Sequence, residues 1–139
     1  MKIRNARLRD LGICASIGHI PEFSYLYKAT NKESNKYLKD FLRNGIFIDA
    51  EENNSVIGFL IAEFMLGNFV WLDGIVVTAK YRSRGVGAKL FHRLVAIVKQ
   101  KGKKHIYLMA PKLNIRTKRF YKSVGMKKGK EFIEFTKEL

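Results

Sequence analysis

The sequence predicts an α/β (α+β) fold with a mixed central β-sheet flanked by about four helices. Its 139 residues suit a single domain, 1–139, that is long enough to bury a core. Strand-like and helix-like hydrophobic patterns follow one another along the chain, with no repeats, linkers or low-complexity segments. The apolar share of 47% excludes a disordered chain, even though the formal net charge is +15.

In the first half of the chain, apolar residues at helical spacing come before a series of strand-like runs. We therefore predict helices followed by an antiparallel meander. Asp10 can cap the first helix, Thr30 or Asn31 the second, and Gly67-Asn68 suits a hairpin turn. The aromatic segment Glu22–Thr30 remains ambiguous. The predicted elements are a strand at Lys2–Arg7, helices at Asp10–Ile17 and Lys32–Asn44, and strands at Ile46–Ala50, Val56–Leu66 and Phe69–Val77.

The second half follows a strand–helix–strand pattern, in which the strand after the helix should run parallel to Phe69–Val77 through a right-handed crossover. Glycines are placed to end both helices of this half. The predicted elements are a helix at Gly85–Gln100, a buried strand at His105–Ala110, a helix at Asn114–Val124, and two short closing strands at Met126–Lys130 and Glu131–Thr136.

Composition excludes several classes of protein. Cys14 is the only cysteine, so an intramolecular disulfide framework and a multi-thiolate zinc site are ruled out. No apolar run approaches the roughly 20 residues of a membrane span, and the first residues lack the apolar stretch of a signal peptide. We therefore expect a cytoplasmic protein that has no membrane partner and no metal, as a monomer or a homodimer.

The positive charge is concentrated in one half of the chain. Residues 1–69 hold 9 Lys/Arg and 8 Asp/Glu, whereas residues 70–139 hold 18 and 4. No acid occurs between Gly74 and Lys130. This asymmetry favours a polyanionic partner, such as the phosphates of a cofactor, a nucleic acid or an acidic surface. The alternative is a solvated basic face that serves only solubility.

A basic, glycine-containing turn joins the strand ending at Val77 to the helix starting at Gly85. Gly85 and Gly87 lack a Cβ, so a ligand can approach the backbone closely. The first N–H groups of a helix have no intrahelical partner and suit a pyrophosphate. No Gly-Lys-Ser/Thr follows, which excludes a Walker loop, and a third glycine and a ribose-binding acid are missing for a dinucleotide fingerprint. An ordinary strand-to-helix turn is the alternative.

Two motifs in this half resemble the GNAT superfamily of acetyl-CoA-dependent N-acetyltransferases. Arg82-Ser83-Arg84-Gly85-Val86-Gly87 is similar to the family's Gln/Arg-x-x-Gly-x-Gly/Ala pattern. The run from Asn114 to Met126 resembles its Asn-x6-Tyr-x3-Gly-Phe segment, with Met126 in place of Phe. The predicted element order fits the family over nearly the whole chain.

The resemblance implies that acetyl-CoA is the co-substrate and that strands 69–77 and 105–110 separate near residues 75–77 and 107–110 to admit the acyl group. The turn would hold the pyrophosphate, and the preceding strand would pair with the pantetheine arm through its backbone. The implied binding residues are Ile75, Val76, Val77, Arg82, Ser83, Arg84, Gly85, Val86, Gly87, Ala88, Lys89, Asn114 and Tyr121. Capping of the last helix is the alternative role for Asn114.

Tyr121 is implied as the general acid, because a phenol can protonate the departing thiolate; packing on the sheet is its alternative.

Glu63 and Asp73 are candidates for the base or the amine-binding residue, since they are the only acids within the apolar runs 56–77. Each could instead point outward or pair with a cation. His105 is a weaker candidate, and proton transfer through water needs no single base. Cys14 is expected to be a packing residue, which favours direct transfer over an acyl-enzyme.

Three functions therefore remain open. The first is acetyl-CoA-dependent N-acetylation of a protein α-amine, a lysine or a small amine. The second is non-catalytic CoA binding by the same fold. The third is a basic nucleic-acid-binding module. The sequence has no known RNA motif and no pattern of interleaved aromatic residues between Arg82 and Lys104, which counts against this function.

Overall fold

The structure, a computed structural model, describes all residues 1–139. It divides into a first unit, Met1–Leu108, and a second unit, Met109–Leu139. The elements are β1 Lys2–Asn5, a 3₁₀ turn Leu8–Asp10, α1 Leu11–Ile17, α2 Ser24–Lys28, α3 Asn31–Asn44, β2 Ile46–Glu52, β3 Ser55–Phe64, β4 Phe69–Val77, a 3₁₀ turn Ala79–Tyr81, α4 Val86–Gln100, β5 His105–Tyr107 and α5 Ile115–Ser123.

One mixed sheet of five strands, in the order β1-β2-β3-β4-β5, lies in the first unit. The first four strands form the predicted antiparallel meander, and β5 runs parallel to β4. The β4–β5 ladder ends where Trp71 meets Tyr107, so β4 continues to Val77 beside β3 alone. The predicted fold class is confirmed, and the early end of this ladder agrees with the expected separation of the two strands.

One ambiguous segment is resolved by the structure, and two local predictions were wrong. The ambiguous aromatic segment contains a helix, α2, which brings the number of α-helices to five. The strand predicted at His105–Ala110 ends at Tyr107 and is partly exposed; Pro111, which cannot donate a backbone hydrogen bond, follows closely. Residues 124–139 contain no strand. Their apolar alternation is only a propensity, and a strand needs a neighbouring strand to pair with.

The core of the first unit lies on both faces of the sheet. Because side chains alternate along a strand, Phe47, Phe59 and Ile61 point to the face covered by α1 and α3. The alternate set, which includes Ile48 and Leu60, is also buried, and α4 packs against β2, β3 and β4. No helix of the chain has the length and apolarity needed to span a membrane.

A cluster of three acids around one arginine is buried next to this core. Arg4 lies 2.9 Å from Asp10, 3.2 Å from Asp49 and 2.9 Å from Glu51. Asp49 is fully buried, and neither of its carboxylate oxygens has a hydrogen-bond partner. Asp10 also accepts from the Arg7 N–H at 2.7 Å. Although Asp10 directly precedes α1, its side chain does not cap that helix as predicted, because it belongs to this cluster.

Replacing Asp49 with asparagine should remove a pH-dependent loss of stability. Burial raises the pKa of Asp49 to about 7, against the opposing effect of Arg4. The folded state therefore keeps a proton that the unfolded state loses above about pH 4. The stability that this proton confers is present below pH 4 and is lost as pH rises through 7. Relative to Asp49→Asn, the wild type should lose at least about 1 kcal/mol between pH 5 and pH 8 in urea unfolding. Parallel pH profiles would contradict this assignment.

Candidate active site

The turn after β4 combines two left-handed residues with the start of a long helix. Ser83 has φ +61° and Gly85 has φ +81°, a region that glycine adopts without strain. Gly85 is the N-cap of α4 and supplies no capping side chain. Gly87 lies within the helix, so the left-handed conformation explains Gly85 but not Gly87.

The first turn of α4 has free hydrogen-bond donors. The Lys89 N–H donates to the Gly85 carbonyl at 3.0 Å, which is the first bond of the helix. The N–H groups of Val86, Gly87 and Ala88 have no acceptor in the chain, and no acid lies in this turn. Three free donors at the positive end of a helix dipole fit a bound phosphate group, as a pyrophosphate-containing ligand requires.

Cationic side chains surround this turn unevenly. Arg84 and Lys80 lie over the Tyr81 ring, at 5.6 and 5.7 Å from its centroid. Tyr81, Arg84 and Lys89 line an open cavity of about 360 Å³. Arg82 points back along the strand instead, where its Nε donates to the Val77 carbonyl at 3.1 Å.

Side-chain burial alternates along the last residues of β4. Val76 is buried opposite Phe59, whereas Ile75 and Val77 are half-buried. The Val77 carbonyl accepts from Arg82, so a ligand that paired with this carbonyl would have to displace the guanidinium. Beyond Trp71 the edge of β4 that faces away from β3 has no strand beside it.

A β-bulge interrupts the pairing of β3 with β4. Ile61 faces Gly74 and Ala62 faces Leu72, so Asp73 is the extra residue on β4. A bulge of this kind re-aims a side chain. The Phe23 ring packs directly on Gly74, where any Cβ would collide with it. The aromatic segment that the sequence left ambiguous is thereby fixed over the bulge.

The two acids that the sequence named separately come together at this bulge. Glu63 lies on β3, and its carboxyl group is within hydrogen-bonding reach of Asp73. Burial first, and then the hydrogen bond and charge of Glu63, raise the pKa of Asp73 to about 8. Asp73 is therefore mostly protonated at neutral pH, and its ionised form is a stronger base than an ordinary carboxylate.

Two tyrosines that were not among the predicted site residues complete this cluster. Tyr25 on α2 and Tyr37 on α3 are stacked with ring centroids 4.2 Å apart. Burial, followed by the charges of Asp73 and Glu63, raises the pKa of Tyr37. The helical spacing of Tyr37 indicated only a core position, and nothing local to it could have shown its proximity to two acids.

The remaining candidates of the first unit take no part in either cluster. Cys14 is fully buried in the core, and this burial raises the pKa of its thiol, as expected of a packing residue. His105 is exposed at the start of β5, with its ring 6.0 Å from that of Tyr107.

The second unit holds the other predicted motif. The Asn114 side chain accepts from the Thr117 N–H at 3.0 Å and caps α5, so the capping role is confirmed. Tyr121 is half-buried on this helix, and burial raises its pKa to about 12. Gly125 has φ +93° just after the helix, which is the conformation that favours glycine at a helix end.

Comparison with known proteins agrees with these two motifs. A family model described as the acetyltransferase (GNAT) family matches residues 16–126, which is well over half of the chain. No curated protein matches the sequence.

Solved structures share the fold at low sequence identity. A possible acetyltransferase from Clostridium difficile 630 is 20% identical with a TM-score of 0.84, over 99% of this chain and 97% of that one. An aminoglycoside acetyltransferase from an uncultured soil metagenomic sample, in complex with sisomicin, is 18% identical with a TM-score of 0.80, over 99% and 95%. The PaiA N-acetyltransferase from Thermoplasma acidophilum, in complex with coenzyme A, is 20% identical with a TM-score of 0.78, over 91% and 89%.

Proposed function

The chain belongs to the GNAT family of acetyltransferases, and we propose that it moves the acetyl group of acetyl-CoA to a primary amine by direct attack in a ternary complex. The observation that carries the proposal is the set of three free N–H groups at the start of α4, in a turn without acids. Structural neighbours that bind coenzyme A or a CoA-containing bisubstrate analogue support the choice of co-substrate.

In this proposal the turn binds the phosphates. The N–H groups of Val86, Gly87 and Ala88 donate to the pyrophosphate, and Arg84 and Lys89 add positive charge beside it. The free edge of β4 beyond Trp71 accommodates the pantetheine arm in the manner of an added strand. Binding supplies an acetyl thioester, whose carbonyl carbon is the site of attack.

The carboxyl pair prepares the amine. A primary amine arrives protonated, with an ordinary pKa near that of lysine, about 10.4. An ordinary carboxylate is too weak a base to take this proton readily. The raised pKa of Asp73 narrows the gap between the pKa of the base and that of the amine. The ionised form of Asp73, which is the minor form at neutral pH, takes the proton and leaves a neutral nitrogen that can attack.

Tyr121 completes the reaction as the general acid. When the C–N bond forms and the C–S bond breaks, the sulfur leaves with the electron pair and needs a proton. The Tyr121 phenol, which stays protonated throughout the physiological pH range, donates it. The buried state of Cys14 removes the one thiol that could form an acyl-enzyme, which supports direct transfer.

The variant Gly87→Glu should lose acetyl-CoA binding while it keeps its fold. Glutamate is a better helix former than glycine by about 1 kcal/mol and suits the first turn of a helix. Its carboxylate would nevertheless repel the pyrophosphate. We expect at least a tenfold higher KM for acetyl-CoA, or about 1.4 kcal/mol, and no rise in Tm with acetyl-CoA.

Gly12→Glu is the matched control. It introduces the same charge and side chain at a helical position in α1 that has open space around it. It should retain the acetyl-CoA-dependent rise in Tm. An undiminished rise in Gly87→Glu would move the phosphate site elsewhere. A wild-type protein without any acetyl-CoA-dependent rise and without acetylation of any amine would overturn the proposed function.

A further inference from the structure

The Glu63–Asp73 pair has no cationic partner within a strongly basic chain. Neither acid forms an ion pair, and one oxygen of Asp73 is buried without a hydrogen-bond partner. The two buried acids of the first unit, Asp10 and Asp49, are instead gathered around Arg4. None of the 27 Lys and Arg residues neutralises the pair. The fold thus keeps negative charge here that a ligand can neutralise.

Aromatic rings border this pair on one side. The Tyr37 ring stacks on Tyr25 and meets Phe41 edge to face, with centroids 4.9 Å apart. Tyr25 is about half exposed, so one of its surfaces is open to solvent. Electron-rich ring faces next to carboxyl groups attract ammonium groups. The packing of Phe23 on Gly74 anchors the segment that carries Tyr25.

The charge changes of the reaction decide what kind of amine can use all of these groups. In a monoamine the reacting nitrogen loses its charge before attack, and the amide product is neutral. Its attraction to the carboxyls and rings is lost before attack, is only partly regained as the C–N bond forms, and is absent from the amide product. A second ammonium that does not react keeps its charge throughout, so its attraction to the cluster lasts through the reaction.

We propose that Tyr25, Tyr37, Glu63 and Asp73 form a subsite that selects aliphatic amines carrying at least two ammonium groups. One nitrogen gives up its proton to ionised Asp73 and is acetylated, so Glu63 is not used as the base. The second stays protonated against the exposed Glu63 and the open face of Tyr25. This inference rests on the proposed N-acetyltransferase function and specifies its substrate class.

The test compares 1,4-diaminobutane with 1-aminobutane, which differ only in the second amine. Release of free thiol from acetyl-CoA measures the turnover of each. We expect kcat/KM for the diamine to exceed that for the monoamine at least tenfold. In Tyr25→Ala and in Glu63→Gln this ratio should fall at least fivefold, mainly through a higher KM for the diamine.

Tyr27→Ala is the matched control, because Tyr27 lies on the same short helix with similar exposure but stacks on His19. It should leave the ratio within twofold of the wild type. Equal use of the two amines, or a ratio that Tyr25→Ala and Glu63→Gln both leave unchanged, would overturn the inference while acetylation itself continued. A protein that acetylates neither amine but shows an acetyl-CoA-dependent rise in Tm and acetylates peptide amines would also overturn it. Absence of both activity and the rise in Tm would instead reject the proposed function.

Discussion

Replacing Tyr121 with phenylalanine should lower kcat at least about 100-fold, because a general acid typically contributes 10²–10⁴-fold to the rate. The phenol proton has a single use in the proposed reaction, which is to neutralise the departing thiolate. Phenylalanine keeps the ring and its packing on α5, so the KM for acetyl-CoA and the acetyl-CoA-dependent rise in Tm should remain within about twofold of wild type. Steady-state thiol release and thermal unfolding measure the two effects separately.

Tyr107→Phe is the control for this experiment, since Tyr107 is an exposed tyrosine on β5. Its kcat should not change. The raised pKa of Tyr121, about 12, also predicts that the acid remains protonated to at least pH 10, so no alkaline loss of rate below that pH should depend on it. Full activity in Tyr121→Phe would exclude the phenol as the acid and would assign protonation of the thiolate to water.

Replacing Arg4 with alanine should destabilise the protein by about 3–5 kcal/mol, the usual cost of leaving buried charges without their partner. Arg4 is the only cation within reach of Asp49, and its hydrogen bonds also hold Asp10 and Glu51. Without it, three acids would face one another beside the core. Urea unfolding at pH 7.5 measures the loss of unfolding free energy.

Two further variants separate the cluster from simple loss of positive charge. Arg9→Ala removes an exposed arginine from the adjacent 3₁₀ turn and should change stability by no more than about 0.5 kcal/mol. Arg4→Lys should recover only part of the loss, because an ammonium cannot reproduce the several directed hydrogen bonds of a guanidinium. If Arg4→Ala were as stable as Arg9→Ala, the cluster would not hold the N-terminal strand in place.

The parts of the site that are local in sequence were predictable. A strand, a basic turn with Gly85 and a long amphipathic helix adjoin in the chain, so their order already predicts free N–H groups at the helix start. The same holds for Asn114, because a cap is formed between residues three positions apart. Both of these features depend on backbone geometry over a few residues.

The parts of the site that depend on pairing between strands were not predictable. Glu63 and Asp73 could be named as unusual acids in apolar runs, yet their mutual contact depends on a one-residue bulge at Asp73. A shift of one residue in register would turn one of the two side chains to the opposite face. The two closing strands failed for a related reason, because apolar alternation does not supply a partner strand.

The sequence by itself therefore determined the family, the mixed fold and the glycine-containing turn before α4, since these follow from short-range patterns of glycine, charge and hydrophobic periodicity. Tertiary structure alone decided that two acids and two tyrosines form one cluster and that Arg4 contacts three acids. Those contacts join residues tens of positions apart, and their strength comes from burial, which no local pattern measures. The +15 charge is likewise a property of the sequence, but only the fold shows that Glu63 and Asp73 remain without a cation.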